Sequence, residues 1–290
     1  MAGRASRTAK APVRYGKLQF SRGLSTGIGV TKKTGERILS PVPTVGKQYR
    51  MSKLLNRQNI DGEKLDHYSS DEQRKIGEFT NRHGDSGAEI ATEGGPVFQQ
   101  IVATDTLDAA TTDQLVRAYD QHIIDEDDIQ RIARGLDEGD IDQQAVETVL
   151  VRTNNIEANG HSVDRIRTAH EVNGEYGPDY QDPYAPGTLT MEYTTQSQEQ
   201  FVRVHGSDNQ ARAWMMQEHE IEGLTADEIK EKFSLPEEPT YVSDVDVPEG
   251  TSVRTGTVAE NFDGERGATQ FELQDRIDSE NFHNQRKLPQ

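Results

Sequence analysis

Gln270 and Glu272 stand two residues apart in the run Thr269-Gln270-Phe271-Glu272, just behind a loop carrying Gly264 and Gly267. On a strand, that spacing turns the amide and the carboxylate toward one side. A fixed carboxylate can stabilise positive charge that develops in a substrate. Arg203, in the strand-like run Glu199 to His205, offers a guanidinium fork that grips a phosphate at two points. Other candidates are weaker. Asp137-Glu138-Gly139-Asp140-Ile141-Asp142 resembles a calcium loop, but its glycine is third and its fifth position is Ile. It reads as a turn followed by a helix cap. His205 and His219 have no partner at metal-ligand spacing and read as surface residues. The sequence contains no Cys, which excludes disulfides, thiolate metal sites and a cysteine nucleophile.

Charge is unevenly divided. Residues 1–57 hold 13 Lys and Arg against one acid, Glu36, a net of +12. Residues 58–290 hold 19 Lys and Arg against 49 acids, a net of -30. The arm's Arg4, Arg7, Lys10, Arg14, Lys17, Arg22, Lys32, Lys33 and Arg37 suit either nucleic-acid phosphates or an acidic protein partner. In molar salt the Debye length is only ~3 Å, which favours docking on other subunits of a large assembly over phosphate steering. Beyond the arm, Lys occurs only at 64, 75, 230, 232 and 287. A carboxylate-rich, lysine-poor surface suits a high-salt cytoplasm, and points to a haloarchaeal host or one of its viruses. An ordinary acidic protein is the alternative. Hydrophobic residues make up 32% of the chain, which implies a modest core. No apolar run is long enough for a membrane span or a signal peptide, so the expected location is a virion or the cytoplasm.

The elements that would position these residues fall into three zones. Residues 1–57 form a basic arm, broken by Pro41 and Pro43. Residues 58–189 read as mainly helical, followed by a linker. A helix starts at Ser70 and runs to Arg82, capped by Ser with acids in its first turn. Three amphipathic pieces follow at 112–119, 126–133 and 142–150, and suggest a small bundle. Ser162 to Val172 reads as another helix, and 176–187, rich in turns and aromatics, as an ordered linker. Residues 190–290 read as mixed α/β. Strands are expected at 199–205, 241–247, 252–258 and 270–273, and a helix at 226–233 capped by Thr225. Trp214-Met215-Met216 reads as packing. The fold class is α+β.

The third zone resembles the C-terminal toxin modules of bacterial polymorphic toxins. The matching phrases are Phe201-Val202-Arg203-Val204-His205-Gly206, Trp214, Ile221-Glu222-Gly223-Leu224-Thr225, Lys232-Phe233-Ser234-Leu235-Pro236, Val247-Pro248-Glu249-Gly250-Thr251, Arg254-Thr255-Gly256 and Thr269-Gln270-Phe271-Glu272. More broadly it is similar to the ADP-ribosyltransferase fold, including NAD glycohydrolases, over about a third of the chain. The order Arg, Ser/Thr strand, Gln-x-Glu matches the arginine–serine–glutamate class. The resemblance implies NAD as substrate. It implies Arg203 on the pyrophosphate, Glu272 beside the ribose, and Gln270 orienting the water or acceptor. Ser252 or Thr255 would brace Glu272, and Tyr241 or Phe262 would stack on nicotinamide. The loop is poorer in Gly than is usual for the family, and the Ser/Thr spacing is irregular. Two functions remain open: an NAD-consuming effector fused behind a minor head protein, or a virion structural protein (minor capsid, connector or tail component) whose fold no longer catalyses.

Overall fold

The computed structural model describes residues 68–262, 264–265 and 267–289, all within the unit Thr44–Gln290. The basic arm and its candidate residues lie outside the described part. Five helices come first: α1 (Ser70–Glu93), α2 (Gly95–Thr104), α3 (Ala109–Asp120), α4 (Glu126–Glu138) and α5 (Gln143–Ala158). Each of α1, α3, α4 and α5 opens on a side chain that accepts from an otherwise unpaired backbone N–H: Ser69, Asp108, Asp125 and Asp142. The cap of α1 is thus Ser69 rather than Ser70. The helix runs eleven residues past the expected Arg82, through a break at Gly84, where φ is 63° and ψ -138°. That backbone geometry suits glycine alone, and lets one run hold two helical segments.

The expected helix at 162–172 is instead strand β1 (Ser162–Thr168) followed by the five-residue helix α6 (Ala169–Asn173). Ile166 points into the core while Arg165 and Arg167 point away, an alternation of period two. Asp128 and Arg131 on α4 hold both backbone groups of Ile166. Its N–H donates to Asp128 Oδ1 at 2.7 Å, and its carbonyl accepts from Arg131 Nε at 2.8 Å.

The remaining strands are β2 (Leu189–Thr194), β3 (Glu199–His205), the two-residue β4 (Trp214–Met215), β5 (Tyr241–Val247), β6 (Ser252–Thr257), β7 (Thr269–Leu273) and β8 (Phe282–Lys287), with helix α7 (Ala226–Lys232) between β4 and β5. They build two antiparallel sheets, of order β1-β2-β6-β7-β4 and β3-β5-β8. A bridge between Val202 and Met216 links them. The architecture is α+β. Helices α4 and α5 cover one face of the five-stranded sheet, so that Ile129, Ile132, Val146, Val149 and Leu150 share a core with Ile166, Met191, Tyr193, Val253 and Phe271. The expected junction at 189/190 falls at the start of β2, and this core continues across it. A smaller core lies between the three-stranded sheet and α7, around Val202, Val204, Ile229, Phe233 and Val242.

Candidate functional site

The other face of the five-stranded sheet carries charge. The register pairs Arg165 with Glu192, Glu192 with Arg254, Arg254 with Glu272, and Glu272 with Trp214. One row therefore crosses all five strands as Arg–Glu–Arg–Glu–Trp. Arg254 is 5% exposed and sits at its centre. Its guanidinium reaches Glu192 Oε1 at 2.8 Å, Glu175 Oε2 at 2.9 Å and Glu272 Oε2 at 3.4 Å. Burial alone would lower the pKa of Arg254, but the hydrogen bonds and charge of Glu192 outweigh it and raise the pKa above its usual value. Burial likewise opposes ionisation of Glu192, and hydrogen bonds from Arg165 and Arg254 overcome it, holding its pKa below the usual value. Arg167 closes the network, pairing with Glu175 and lying 3.7 Å from Glu192.

The stretch read as a linker is the cover of this row. Tyr184 is fully buried. Its hydroxyl donates to Glu272 Oε2 at 3.2 Å, and that of Tyr176 donates to the same oxygen at 2.7 Å. Gly256 makes room: a Cβ there would stand 2.5 Å from the Tyr184 ring and 3.0 Å from Thr190. Tyr176 stacks between Tyr180 and Trp214, with centroids at 5.1 and 6.4 Å. Burial, then the Glu272 charge, raises the pKa of both Tyr176 and Tyr184 above that of a free phenol.

Gln270 and Glu272 do share a face of β7. Each is already engaged. Gln270 Nε2 donates to the Pro183 carbonyl at 2.7 Å. Glu272 Oε2 accepts from Tyr176, Tyr184, Arg254 and Gln274. Arg203 lies on the other side. It shares a face of β3 with Phe201, two residues away, and the Phe201 ring meets Phe271 at 4.7 Å, on the β7 face opposite Glu272. The Arg203 guanidinium donates to the Trp214 carbonyl at 2.6 Å and twice to the Asn209 carbonyl, at 3.3 and 3.2 Å. Burial, then the charge of Arg212, lowers its pKa to about 10. A cleft of about 890 Å³ lies between residues 207–213 and 273–279, and one of about 560 Å³ beside α7. Arg203, Gln270 and Glu272 line neither of them.

The supporting residues are also dispersed. Ser252 is on the Glu272 face, but its nearest cross-strand partner is Thr194. Thr255 is on the core face and donates to the Gln270 carbonyl at 3.0 Å. The residue that braces Glu272 is Arg254, between them. Tyr241 stacks on His205 at 5.9 Å. Phe262 is 42% exposed, in the loop after β6. His205, expected on the surface, is 3% exposed and bonded to Ser243. Its burial follows from register, since β3 and β5 place both residues on one face. Trp214, Met215 and Met216 pack as expected, the two methionines fully.

Among the described residues no group of His, Asp or Glu is arranged to hold a metal ion, and no helix is long and apolar enough to cross a membrane. Scanned against protein-family models, curated proteins and solved structures, the chain matches none.

Proposed function

We propose that this chain is a structural subunit of a large assembly, a minor capsid, connector or tail component of a halophilic virus, in which the Gln270–Glu272 strand serves as scaffold. The observation that carries this is the state of Glu272. Its Oε2 accepts from two tyrosines, an arginine and a glutamine, inside a network whose three Arg and three Glu charges balance. A carboxylate so engaged is a structural anion, and turning it to a ribose would break a buried ion pair. Arg203, needed on a pyrophosphate, lies on the side opposite Gln270 and Glu272. The division of charge, +12 in residues 1–57 and -30 beyond, supports docking of the arm on acidic neighbouring subunits.

A second reading, an NAD-consuming module of the ADP-ribosyltransferase or NAD-glycohydrolase type, draws on one observation. Gln270, Glu272 and Trp214 share a face of the sheet, with the ring of Tyr176 stacked on that of Trp214. One assay separates the two. The full chain is incubated with NAD in molar salt beside Glu272→Gln, and free nicotinamide is followed. The structural reading expects no release from either protein. Release that is lost in Glu272→Gln, with the fold intact by circular dichroism, transfers the assignment to the NAD-consuming reading.

A further inference from the structure

A second polar centre stands behind the wall of the 890 Å³ cleft. Ser243 on β5 is fully buried, and its Oγ is 2.8 Å from His205 Nε2. The other ring nitrogen, Nδ1, is 2.6 Å from the Gly206 carbonyl. A carbonyl only accepts, so Nδ1 carries the hydrogen, and in the neutral ring the Nε2 lone pair faces Ser243. The Ser243 hydroxyl therefore donates to His205. Burial first, and then the charge of Arg203, pushes the His205 pKa below its usual value, while its bond to the Gly206 carbonyl opposes them. The imidazole is neutral at pH 7 and free to take a proton.

The surroundings complete the arrangement. Arg203 is the cross-strand partner of Ser243 and lies two residues from His205, on the same face of β3. Arg203 and Arg254 are equally buried, but Arg254 has three glutamates and Arg203 has only carbonyls. A buried cation without a counter-ion is costly, and stands ready for negative charge. Gln210 separates these groups from the cleft. Its Nε2 donates to Ser243 Oγ at 2.9 Å and to the Phe282 carbonyl at 3.2 Å, and Gln210 and Phe282 both line the cleft.

We propose that Ser243 is a nucleophile with His205 as its general base, acting on a carboxylic ester bound in the 207–213/273–279 cleft, with Arg203 as the charge that meets the oxyanion and Gln210 as the plug that moves aside. This goes beyond the structural role and does not depend on it. Ser243 Oγ attacks the ester carbonyl carbon and passes its proton to His205 Nε2. The carbon–oxygen bond to the alcohol breaks, and the alcohol leaves with that proton. Water then attacks the acyl-serine, again through His205, to release the acid and restore Ser243. The cleft lining sets Asp208 and Asp275 beside Arg212 and Arg276, so its charges balance and an uncharged ester suits it.

The test uses the full chain in molar salt with a fluorophosphonate, which forms an Oγ–P bond as fluoride leaves. Intact mass and peptide mapping are expected to give one adduct per chain, at Ser243. His205→Gln is expected to slow labelling by roughly 100-fold, the lower end for a lost general base. Gln210→Ala, or the milder Gln210→Asn, is expected to speed it, because the plug is cut back. The proposal is overturned by an adduct elsewhere, by a rate indifferent to His205→Gln, or by no adduct in either the wild type or the folded Gln210 variants.

Discussion

Replacing Arg254 by Met removes the central cation of the charged row and keeps much of its volume. Glu272, with its side chain 13% exposed, then loses its cation, and Glu192, 8% exposed, keeps only Arg165 and the more distant Arg167. Glu175 is 45% exposed and regains water, so it adds little. Breaking a buried pair from one side costs about 3–5 kcal/mol, because the partner charge stays desolvated. At about 2–4 °C per kcal/mol for a domain of this size, Tm should fall by roughly 6–20 °C. The loss should narrow as pH falls from 7 toward 4. In the wild type the lowered pKa of Glu192 gives stability that is present above the unfolded value and lost as pH falls through the folded one. In the variant, burial favours the protonated acid, so acidification relieves the strain. Urea unfolding at pH 7 and pH 4.5, in low and molar salt, measures this. A deficit under 1 kcal/mol at pH 7, or one that disappears in molar salt as an exposed, screened pair would, refutes the claim that the row is a buried structural network. Adding Glu192→Gln to Arg254→Met should recover part of the loss.

Two other perturbations probe the same framework. Gly256→Ala places a methyl 2.5 Å from the Tyr184 ring. It should cost about 1–3 kcal/mol by overpacking, and change the emission of Trp214, whose ring lies 5.9 Å from Tyr184. Asp128 is 2% exposed, and burial pushes its pKa up to about 6 from 3.8. The native state therefore holds its proton at a higher pH than the unfolded chain does, and stability contributed by Asp128 is lost as pH rises from about 4 to 6. Asp128→Asn should flatten the stability profile across that window, and an unchanged slope would assign it to another group.

Residues that act through their neighbours in sequence were legible before the structure. Asp142 and Thr225 cap helices that begin where the caps predict, because capping is a contact over three residues. Strands at 199–205 and 241–247 follow from their β-branched runs. What failed depends on residues far apart in the chain. Ser162–Thr168 has Arg and Asp where a helix tolerates them, and becomes a strand because Glu192, 27 residues from Arg165, waits opposite. The charged row draws on positions 165, 192, 254 and 272, and no local spacing announces it. His205 looked like surface because nothing nearby pairs with it, and Ser243 is 38 residues away. Gln-x-Glu puts two side chains on one face by strand geometry alone. The sequence did not reveal that Arg203 lies on the other.

The grip of Asp128 and Arg131 on Ile166 has a bearing on crowding. β1 is an outer strand, and a bare outer strand invites a foreign chain to add itself by backbone pairing. Here two side chains of α4 already hold the N–H and carbonyl that an intruder would need at Ile166. The opposite margin, β4, is only two residues long. Many copies held close together would thus have little template for strand exchange or fibril growth through the larger sheet, and would have to meet through side-chain surfaces instead.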